Sequence, residues 1–363
     1  MTEPILLFGA TGYTGRLVAG VLEHSRQPFA IAGRDRASLE HLSVGLASRP
    51  EVRVADAGDR DALLRALAGM KTVVATAGPF LEIGMPVAAA AVDLGVHYVD
   101  TTGEQLFQIN VYEQLHRRAV STGATIVTGA AFQSAIACLG AAVLHERCGP
   151  LVAVRSYHLV GRLRPSRGSL RSALAISGEE LSAFDGGRLV PLASVASPVT
   201  ETFAGERDTY EAVAIPGGDA VTLPLDIPSL RSATSYALLP RFQARIAARV
   251  VRAQPRLRRW LTPRRLGAVA AVATRVLGEP PLDASRTIGW KVFVRGESPT
   301  GTHLFVASGS DIYRTSAAIA VETARRLAEG RARDAGVMTI GKALPAIEIL
   351  DALRPHGVRW ELR

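Results

Sequence analysis

The sequence contains few cysteines and no long apolar run. Its 363 residues include two cysteines, Cys138 and Cys148, which are too few for a disulfide framework. No group of Cys and His residues has the spacing of metal ligands, so we predict no metal site. No apolar run approaches the roughly 20 residues of a membrane-spanning helix, and the first nine residues are typical of a strand entering a turn, not of a signal peptide. We therefore expect a soluble, cytoplasmic protein.

Acidic residues are absent between Asp226 and Glu279, where eleven arginines occur. The net charge of the whole chain is +9, so the remainder of the chain carries a charge of about −2 once these arginines are subtracted. The basic character belongs to one segment and therefore concerns a local partner or substrate. Nucleic acid is the weakest candidate for that partner, because no recognition motif accompanies the charge.

The length indicates more than one domain, because domains usually comprise about 100 to 200 residues. Hydrophobic residues make up 48% of the chain, which is enough to bury a core. We predict a dinucleotide-binding domain over residues 1–130 and an α+β substrate domain over 131–310. We expect the C-terminal segment, residues 311–363, to pack back on the first domain.

A glycine-rich turn lies near the N-terminus, between an apolar run and a helical pattern. Gly9 allows a tight turn, Gly12 allows a ligand to approach the backbone, and Gly15 allows the helix to pack against the strand. The N-terminus of the helix offers free N–H groups to a pyrophosphate. This context predicts cofactor contacts from Gly9, Thr11, Gly12, Tyr13, Thr14 and Gly15.

Strand and helix patterns then alternate as far as residue 127, which predicts a Rossmann-type doubly wound α/β fold with a parallel sheet. In such a sheet the ligand lies beyond the carboxyl ends of the strands. The residues expected at those ends include cofactor candidates Arg34, Asp56, Ala57, Ala77, Gly78, Pro79 and Phe80, and substrate candidates Thr102 and Glu104.

Arg34 bears on the choice of cofactor. It stands where an NAD enzyme usually carries an acid for the ribose hydroxyls, and a guanidinium there can clamp a 2′-phosphate. Asp35 follows directly and weakens this interpretation. We predict NADP(H) in preference to NAD(H), with a solvated Arg34 as the alternative.

Several motifs in order resemble the saccharopine dehydrogenase-like oxidoreductase family, in particular its branch of trans-acting enoyl reductases. The resemblance covers about the first 130 residues well and the C-terminal part moderately. It implies a nucleotide-binding domain, a second α+β domain and hydride transfer with NADP(H). The motifs are GATGYTG at residues 9–15, AGRD at 32–35, GPF at 78–80, GMPV at 84–87, HYVDTTGE at 97–104, GSDIY at 309–313 and GVMT at 336–339.

One departure from the family affects the site. Relatives carry two acids and a proline just after the sixth strand, where this chain has AFQSAIAC at residues 131–138. We therefore assign no role of those acids to this chain.

The second domain offers weaker candidates. The turn at residues 166–169 resembles a family Ser-Gly-Gly-Thr turn, and Ser169 is expected to cap the following helix. Arg167 and Ser169 are substrate candidates. Residues 288–295 and 303–307 are expected to form a hairpin through residues 296–301, in an antiparallel sheet that also includes residues 152–160 and closes over the cleft. The candidates for a proton donor are Tyr157, Glu104, Tyr313 and Lys291, and a structural role is the alternative for each.

Residues 233–278 show helical spacing and much of the basic charge. Leu238, Phe242, Ile246 and the pair Val250 and Val251 fall on one side, and Arg241, Arg245, Arg249 and Arg252 fall on another. Such a helix can bind anionic lipid, or CoA or another carrier group. The alternative is a solvated face of the substrate domain.

These patterns favour an NADP(H)-dependent reductase of a largely apolar enoyl, carbonyl or imine substrate, free or carrier-linked, in a biosynthetic or lipid pathway. The alternatives are a redox-neutral isomerase or cyclase on the same fold, and a non-catalytic protein that acts at a membrane surface or in a complex. The sequence leaves the oligomeric state open, a homodimer included.

Overall fold

The computed structural model describes residues 4–161, 165–258 and 288–363, together with Trp260, Leu266, Val269, Val272, Pro281 and Leu282. Four arginines of the basic segment, Arg259, Arg264, Arg265 and Arg275, lie outside the described residues. Among the described helices, none combines the length and the apolar character needed to cross a bilayer.

The first sheet has seven parallel strands in the order β15-β6-β5-β4-β1-β2-β3. Its strands are β1 (Ile5–Phe8), β2 (Phe29–Gly33), β3 (Glu51–Val54), β4 (Thr72–Ala75), β5 (His97–Asp100), β6 (Thr125–Val127) and β15 (Gly336–Met338). Helices follow the first six strands: α1 (Tyr13–His24), α2 (Arg36–Val44), α3 (Arg60–Leu67), α4 (Phe80–Asp93), α5 (Gln105–Thr122) and α6 (Phe132–Cys148). This is the predicted doubly wound sheet.

The strand order reverses between β1 and β4, so a crevice opens at their carboxyl ends. All four residues of β1 and of β4 are buried, because helices cover both faces of the sheet. Burial on both faces explains why these strands appear in the sequence as short apolar runs.

The second sheet belongs to the substrate domain. Its main path runs β10-β11-β12-β7-β13-β14-β16, while β8 pairs with β12 and β9 pairs with β8. The strands are β7 (Ala153–Val160), β8 (Ser182–Asp185), β9 (Arg188–Pro191), β10 (Val199–Thr202), β11 (Thr209–Ile215), β12 (Ser232–Leu239), β13 (Gly289–Ser298), β14 (Gly301–Ser310) and β16 (Arg359–Leu362). The predicted strands β7, β13 and β14 pair antiparallel as expected, and the sheet as a whole is mixed because β7 and β12 pair in parallel.

The predicted hairpin is present but longer. β13 and β14 pair from Gly289 and Ser310 to Ser298 and Gly301, so the turn lies at residues 299–300. Gly296, expected in the turn, instead lies within β13 opposite His303.

Three helices of the substrate domain are α7 (Arg167–Ser177), α8 (Gly218–Asp226) and α9 (Arg241–Leu257). The predicted cap of α7 is wrong by three residues, since Ser166 is the N-cap and its hydroxyl accepts the N–H of Ser169. The predicted helix over residues 233–278 is also wrong at its start. Residues 233–239 belong to β12, and Pro240, which cannot continue a ladder or a helix interior, separates this strand from α9.

The C-terminal segment contacts both sheets. Its helices are α10 (Ile312–Ala328), α11 (Ile340–Ala343) and α12 (Ala346–Ala352). Helix α10 packs against α1, β4 and β5, β15 extends the first sheet beside β6, and β16 pairs with β14 of the second.

One hydrophobic cluster passes from the first sheet to the second. It contains Leu7 of β1, Ile136 of α6, Phe305 of β14 and Ile319 of α10, all fully buried. The two domains therefore share a core, which fixes the geometry of the crevice between them.

Candidate active site

A cleft of about 1060 Å³ lies at the carboxyl ends of β1, β2 and β4. The glycine-rich loop and the ends of the strands form one wall, and α7, α9 and the end of β11 form the other. Its volume is at the upper end of the range of about 300–1,000 Å³ for ligand sites, so it has room for a dinucleotide and a substrate.

Close packing explains two of the three glycines in the loop. Gly9 has a φ of +82°, and a Cβ there would lie 2.7 Å from the backbone nitrogen of Ala77. A Cβ on Gly15 would lie 2.3 Å from the carbonyl oxygen of Gly9. A Cβ on Gly12 would lie 3.4 Å from the carbonyl oxygen of Gly9, which already accepts the Gly12 N–H. Gly12 lines the cleft at the N-terminus of α1, the positive end of the helix dipole, which favours a phosphate.

Arg34 and Asp35 have different roles at the end of β2. Arg34 is exposed and lines the cleft, and no carboxylate of the described residues forms an ion pair with it. The carboxylate of Asp35 is the N-cap of α2 and accepts the N–H of Ser38 at 2.9 Å. Asp35 therefore caps α2, and Arg34 is the residue of this pair that lines the cleft.

The other strand ends also reach the cleft. Asp56 and Ala57 line it beyond β3, and Thr76 to Phe80 line it beyond β4. The hydroxyl of Thr76 donates to the carbonyls of Phe8 and Gly9 and so joins β4 to the glycine loop. Thr76 was not among the predicted site residues. Its hydroxyl binds backbone carbonyls, and no sequence motif indicates a contact of that kind.

Glu104 is fully buried and does not line the cleft. Its two carboxylate oxygens accept the backbone N–H groups of Phe80 and Leu81, each at 2.9 Å, at the N-terminus of α4. The hydroxyl of Ser172 donates to the same carboxylate at 2.8 Å. With three hydrogen bonds made, Glu104 is placed to hold residues 78–81 in position.

Thr102 supports the same turn and is likewise buried. Its hydroxyl accepts the N–H of Glu104, and the carboxylate of Asp100 accepts the N–H groups of Thr102 and Gly129. Burial raises the pKa of Asp100 to about 7, against the lowering effect of these two N–H groups. Thr101 and Gly103, not Thr102, face the cleft.

Hydroxyl groups cluster at the N-terminus of α7. Arg167 and Ser169 line the cleft, as do Ser166 and Ser172. The hydroxyl of Tyr313 lies 3.0 Å from Ser169 Oγ and accepts the backbone N–H of Ser166 at 2.9 Å. The Tyr313 ring also packs edge-on against the ring of Tyr13 in the glycine loop, with centroids 4.9 Å apart.

The remainder of the second wall is largely apolar. Ile176 lies on α7, Ile215 ends β11, and Val250 and Val251 lie on α9. Leu181 also lines this wall. The periodicity of α7 was visible in the sequence, but the meeting of these residues depends on tertiary packing and was not predicted.

Two predicted proton donors lie away from the cleft lining. Tyr157 is buried in the core of the second sheet, where its hydroxyl donates to Glu201 at 2.7 Å and burial raises its pKa. Lys291 on β13 forms an ion pair with Glu206 at 2.8 Å and lines a separate groove. Tyr313 lies behind the cleft wall, where its hydroxyl contacts Ser169, whereas Tyr157 and Lys291 are away from this wall.

Gln133, in the stretch that departs from the family pattern, lines the cleft at the start of α6. Its side-chain nitrogen is buried and has no hydrogen-bond partner among the described residues. A donor of this kind can be satisfied by an acceptor on a bound molecule.

The strand order and the glycine loop at the switch point define a dinucleotide-binding domain of the Rossmann type. Residues 5–127 match the saccharopine dehydrogenase NADP binding domain. The predicted family resemblance is thereby confirmed, and the match supports NADP(H) as the cofactor.

Curated relatives resemble the chain over part of its length. A trans-acting enoyl reductase of Mycobacterium leprae is 36% identical over 149 residues, which cover 39% of this chain and 35% of that protein. A trans-acting enoyl reductase of Mycobacterium tuberculosis strain H37Rv is 34% identical over 148 residues, with the same coverage. The match thus spans about a third of the length of these relatives.

The fold of the whole chain resembles that of a solved structure. The apo saccharopine dehydrogenase (L-Glu forming) of Saccharomyces cerevisiae has a TM-score of 0.63 and 14% identity, and the comparison covers 99% of this chain and 100% of that one. At this identity the likeness concerns the fold alone, and it includes the second sheet.

Proposed function

We propose that this chain is an NADP(H)-dependent oxidoreductase that reduces a largely apolar enoyl, carbonyl or imine substrate in a biosynthetic or lipid pathway. One observation carries the proposal. A single cleft has a glycine cradle and Arg34 on one wall, with no ion-pair partner for Arg34 among the described residues, and apolar side chains from α7, β11 and α9 on the other.

The first wall has the features that NADP(H) requires. The N-terminus of α1, which begins after Gly12, favours the pyrophosphate through the helix dipole and the backbone N–H groups of its first turn. Arg34 offers a guanidinium to the 2′-phosphate, and residues 77–80 provide a surface for the nicotinamide half. When bound, the reduced cofactor supplies a hydride.

The second wall suits an apolar substrate with a polar or anionic group. Ile176, Ile215 and Val250 exclude water from the reacting part of the substrate. Arg167 and Arg171, which also line the cleft, favour an anionic group such as the phosphate of a carrier-linked acyl chain. The names of the curated relatives agree with an enoyl substrate.

Ser169 is our candidate for the group that donates to the reacting oxygen or nitrogen. The Tyr313 hydroxyl and Ser169 Oγ lie 3.0 Å apart and either can donate to the other; we assign the donor role to Tyr313. The Ser169 proton can then be donated into the cleft. The N-terminus of α7 favours negative charge on these hydroxyls as the proton leaves.

The test is a screen for oxidation of NADPH. Purified protein is incubated with NADPH and a panel of enoyl, keto and imine compounds, free and as CoA thioesters, while nicotinamide absorbance is followed. The proposal predicts turnover with at least one apolar member. Tight NADPH binding without turnover on any member would contradict a reductase and favour a non-catalytic nucleotide-fold protein.

A further inference from the structure

Helix α9 has its small residues inside and its large apolar residues outside. Ala244 and Ala248 are buried against Val213 of β11. Phe242 is 75% exposed, Ile246 44%, Val250 59% and Leu257 50%. At 100° per residue these four side chains fall on one stripe that points away from the sheet. We call Phe242, Ile246, Val250 and Leu257 the outer stripe.

Five arginines form a row beside the outer stripe. They are Arg241, Arg245, Arg249, Arg252 and Arg256, all exposed. Arg241 reaches Glu211 only at 4.0 Å, and Arg252 donates to the carbonyl of Ala248 in its own helix. Of the carboxylates in the described residues, none forms an ion pair with Arg245, Arg249 or Arg256.

The acids near this helix are few. Glu211 faces its N-terminus, and Glu180 pairs with Arg258 just beyond its C-terminus at 3.2 Å. The sequence itself has no acidic residue from position 227 to position 278. The row of arginines therefore retains its positive charge beside an uncovered apolar stripe.

We propose that α9 binds the surface of an anionic lipid bilayer, with the outer stripe among the acyl chains and the arginine row at the headgroups. An apolar stripe flanked by arginines is the pattern of helices that lie in the membrane interface. Arginine side chains are long enough to keep their charge at the headgroups while their stems contact the apolar region. Trp260, 69% exposed just beyond the helix, suits the same boundary.

A second copy of this chain is a poorer occupant of the stripe. Two α9 helices packed through their outer stripes would bring two arginine rows together, which like-charge repulsion opposes. A bilayer instead brings anionic headgroups to the arginines at the same time as it buries the stripe.

The outer stripe leads to the cleft. Val250 belongs to the stripe and also lines the cleft, and Gln254 anchors α9 to the end of α7 by donating to the carbonyls of Ser177 and Glu179. An apolar substrate dissolved in the bilayer would thus meet the mouth of the cleft. This entry route rests on the proposed function, whereas lipid binding does not.

Vesicle co-sedimentation of the full chain tests the proposal. Phosphatidylcholine vesicles are compared with vesicles that also contain phosphatidylglycerol, at low and high salt. We expect binding to the anionic vesicles and its loss at high salt. At about fivefold per arginine, Arg245→Gln with Arg249→Gln should weaken binding about 25-fold. Phe242→Ser with Ile246→Ser should also weaken it, because the stripe no longer inserts.

The controls change two exposed arginines and two exposed apolar residues on the first domain. Arg65→Gln with Arg117→Gln removes two exposed arginines, and Val44→Ser with Val120→Ser removes two exposed valines. These controls should bind vesicles as the unaltered chain does. Equal binding by the α9 variants and the controls would overturn the proposal, as would no binding of the unaltered chain to either vesicle.

Two further measurements distinguish lipid binding from dimerisation and from a failure of the proposed function. A dimer in sedimentation velocity that Phe242→Ser with Ile246→Ser makes monomeric would assign the stripe to a second copy and overturn lipid binding. The dissociation constant of NADPH should be the same for these variants as for the unaltered chain, since none of the changed residues belongs to the first wall of the cleft. Failure of the unaltered chain to bind NADPH would count against the proposed function and not against lipid binding.

Discussion

The carboxylate of Glu104 accepts a hydrogen bond from Ser172 Oγ at 2.8 Å, which joins the turn after β5 in the first domain to α7 in the second. The same carboxylate accepts the backbone N–H groups of Phe80 and Leu81. One buried side chain thus fixes the start of α4 and the position of α7 across the cleft. Its contribution is to the shape of the site.

Replacing Glu104 by glutamine should destabilise the fold. The amide has one acceptor oxygen, and its NH₂ group would face a backbone N–H that then lacks a partner. We expect a loss of about 2–3 kcal/mol in the free energy of unfolding, against about 1 kcal/mol for Ser172→Ala. Chemical denaturation measures both. An unfolding free energy for Glu104→Gln equal to that of the unaltered chain would contradict the capping role.

Arg34→Ala should change the cofactor preference. Loss of a charge-assisted contact with the 2′-phosphate should weaken NADPH binding about 10- to 100-fold and leave NADH binding nearly unchanged. Arg36→Ala is the matched control, because Arg36 is exposed and pairs with Glu40 on its own helix. Dissociation constants from nicotinamide fluorescence decide the matter. Equal losses for both nucleotides would exclude the phosphate assignment.

Ser169→Ala and Tyr313→Phe should lower kcat on a substrate found by the screen. Loss of a general acid costs about 10²- to 10⁴-fold, and we expect the larger effect at Ser169 and the smaller at Tyr313, which acts through it. The dissociation constant of NADPH should not change. Tyr157→Phe is the control, since that hydroxyl binds Glu201 outside the cleft lining. A kcat for Ser169→Ala equal to that of the unaltered protein would remove Ser169 as donor.

Asp100 should make the fold less stable as the pH rises from about 4 to 7. Its pKa is raised to about 7 in the folded chain by burial, so the folded state keeps a proton that the unfolded state has released. The difference should reach up to about 4 kcal/mol, at about 1.4 kcal/mol per pKa unit. Asp100→Asn should flatten this decline. Parallel pH profiles for the two proteins, measured by urea denaturation, would show that Asp100 is ionised throughout.

Much of the first domain could be predicted from the sequence, because its signals are local. Strands buried on both faces read as short apolar runs, and the predicted alternation of strands and helices as far as residue 127 agrees with the structure. The glycine loop was recognisable from its spacing between a strand and a helix, and a Cβ on Gly15 would meet Gly9 and Ala10 of the same loop. The residues expected at the ends of these strands then indicated the first wall of the cleft.

Apart from Arg167 and Ser169 at the start of α7, the second wall could not be predicted, because it depends on long-range pairing. Strands β7 and β12 are neighbours although about 70 residues separate them, and no local pattern encodes that register. The four-residue interval from Leu238 to Phe242 imitated a helical repeat, yet Pro240 lies between them and ends the strand. The exposure of the outer stripe could not be predicted either, because it depends on which face of α9 packs against β11.

Titration with NADPH and NADH decides whether the first wall of the cleft binds NADPH. Gly12→Asp places a carboxylate in the space expected for the pyrophosphate. Gly20→Asp, on the same helix with open space around it, is the matched control. We predict tight NADPH binding that Gly12→Asp abolishes and Gly20→Asp retains. Absence of binding by either nucleotide to the unaltered, folded protein would contradict the account.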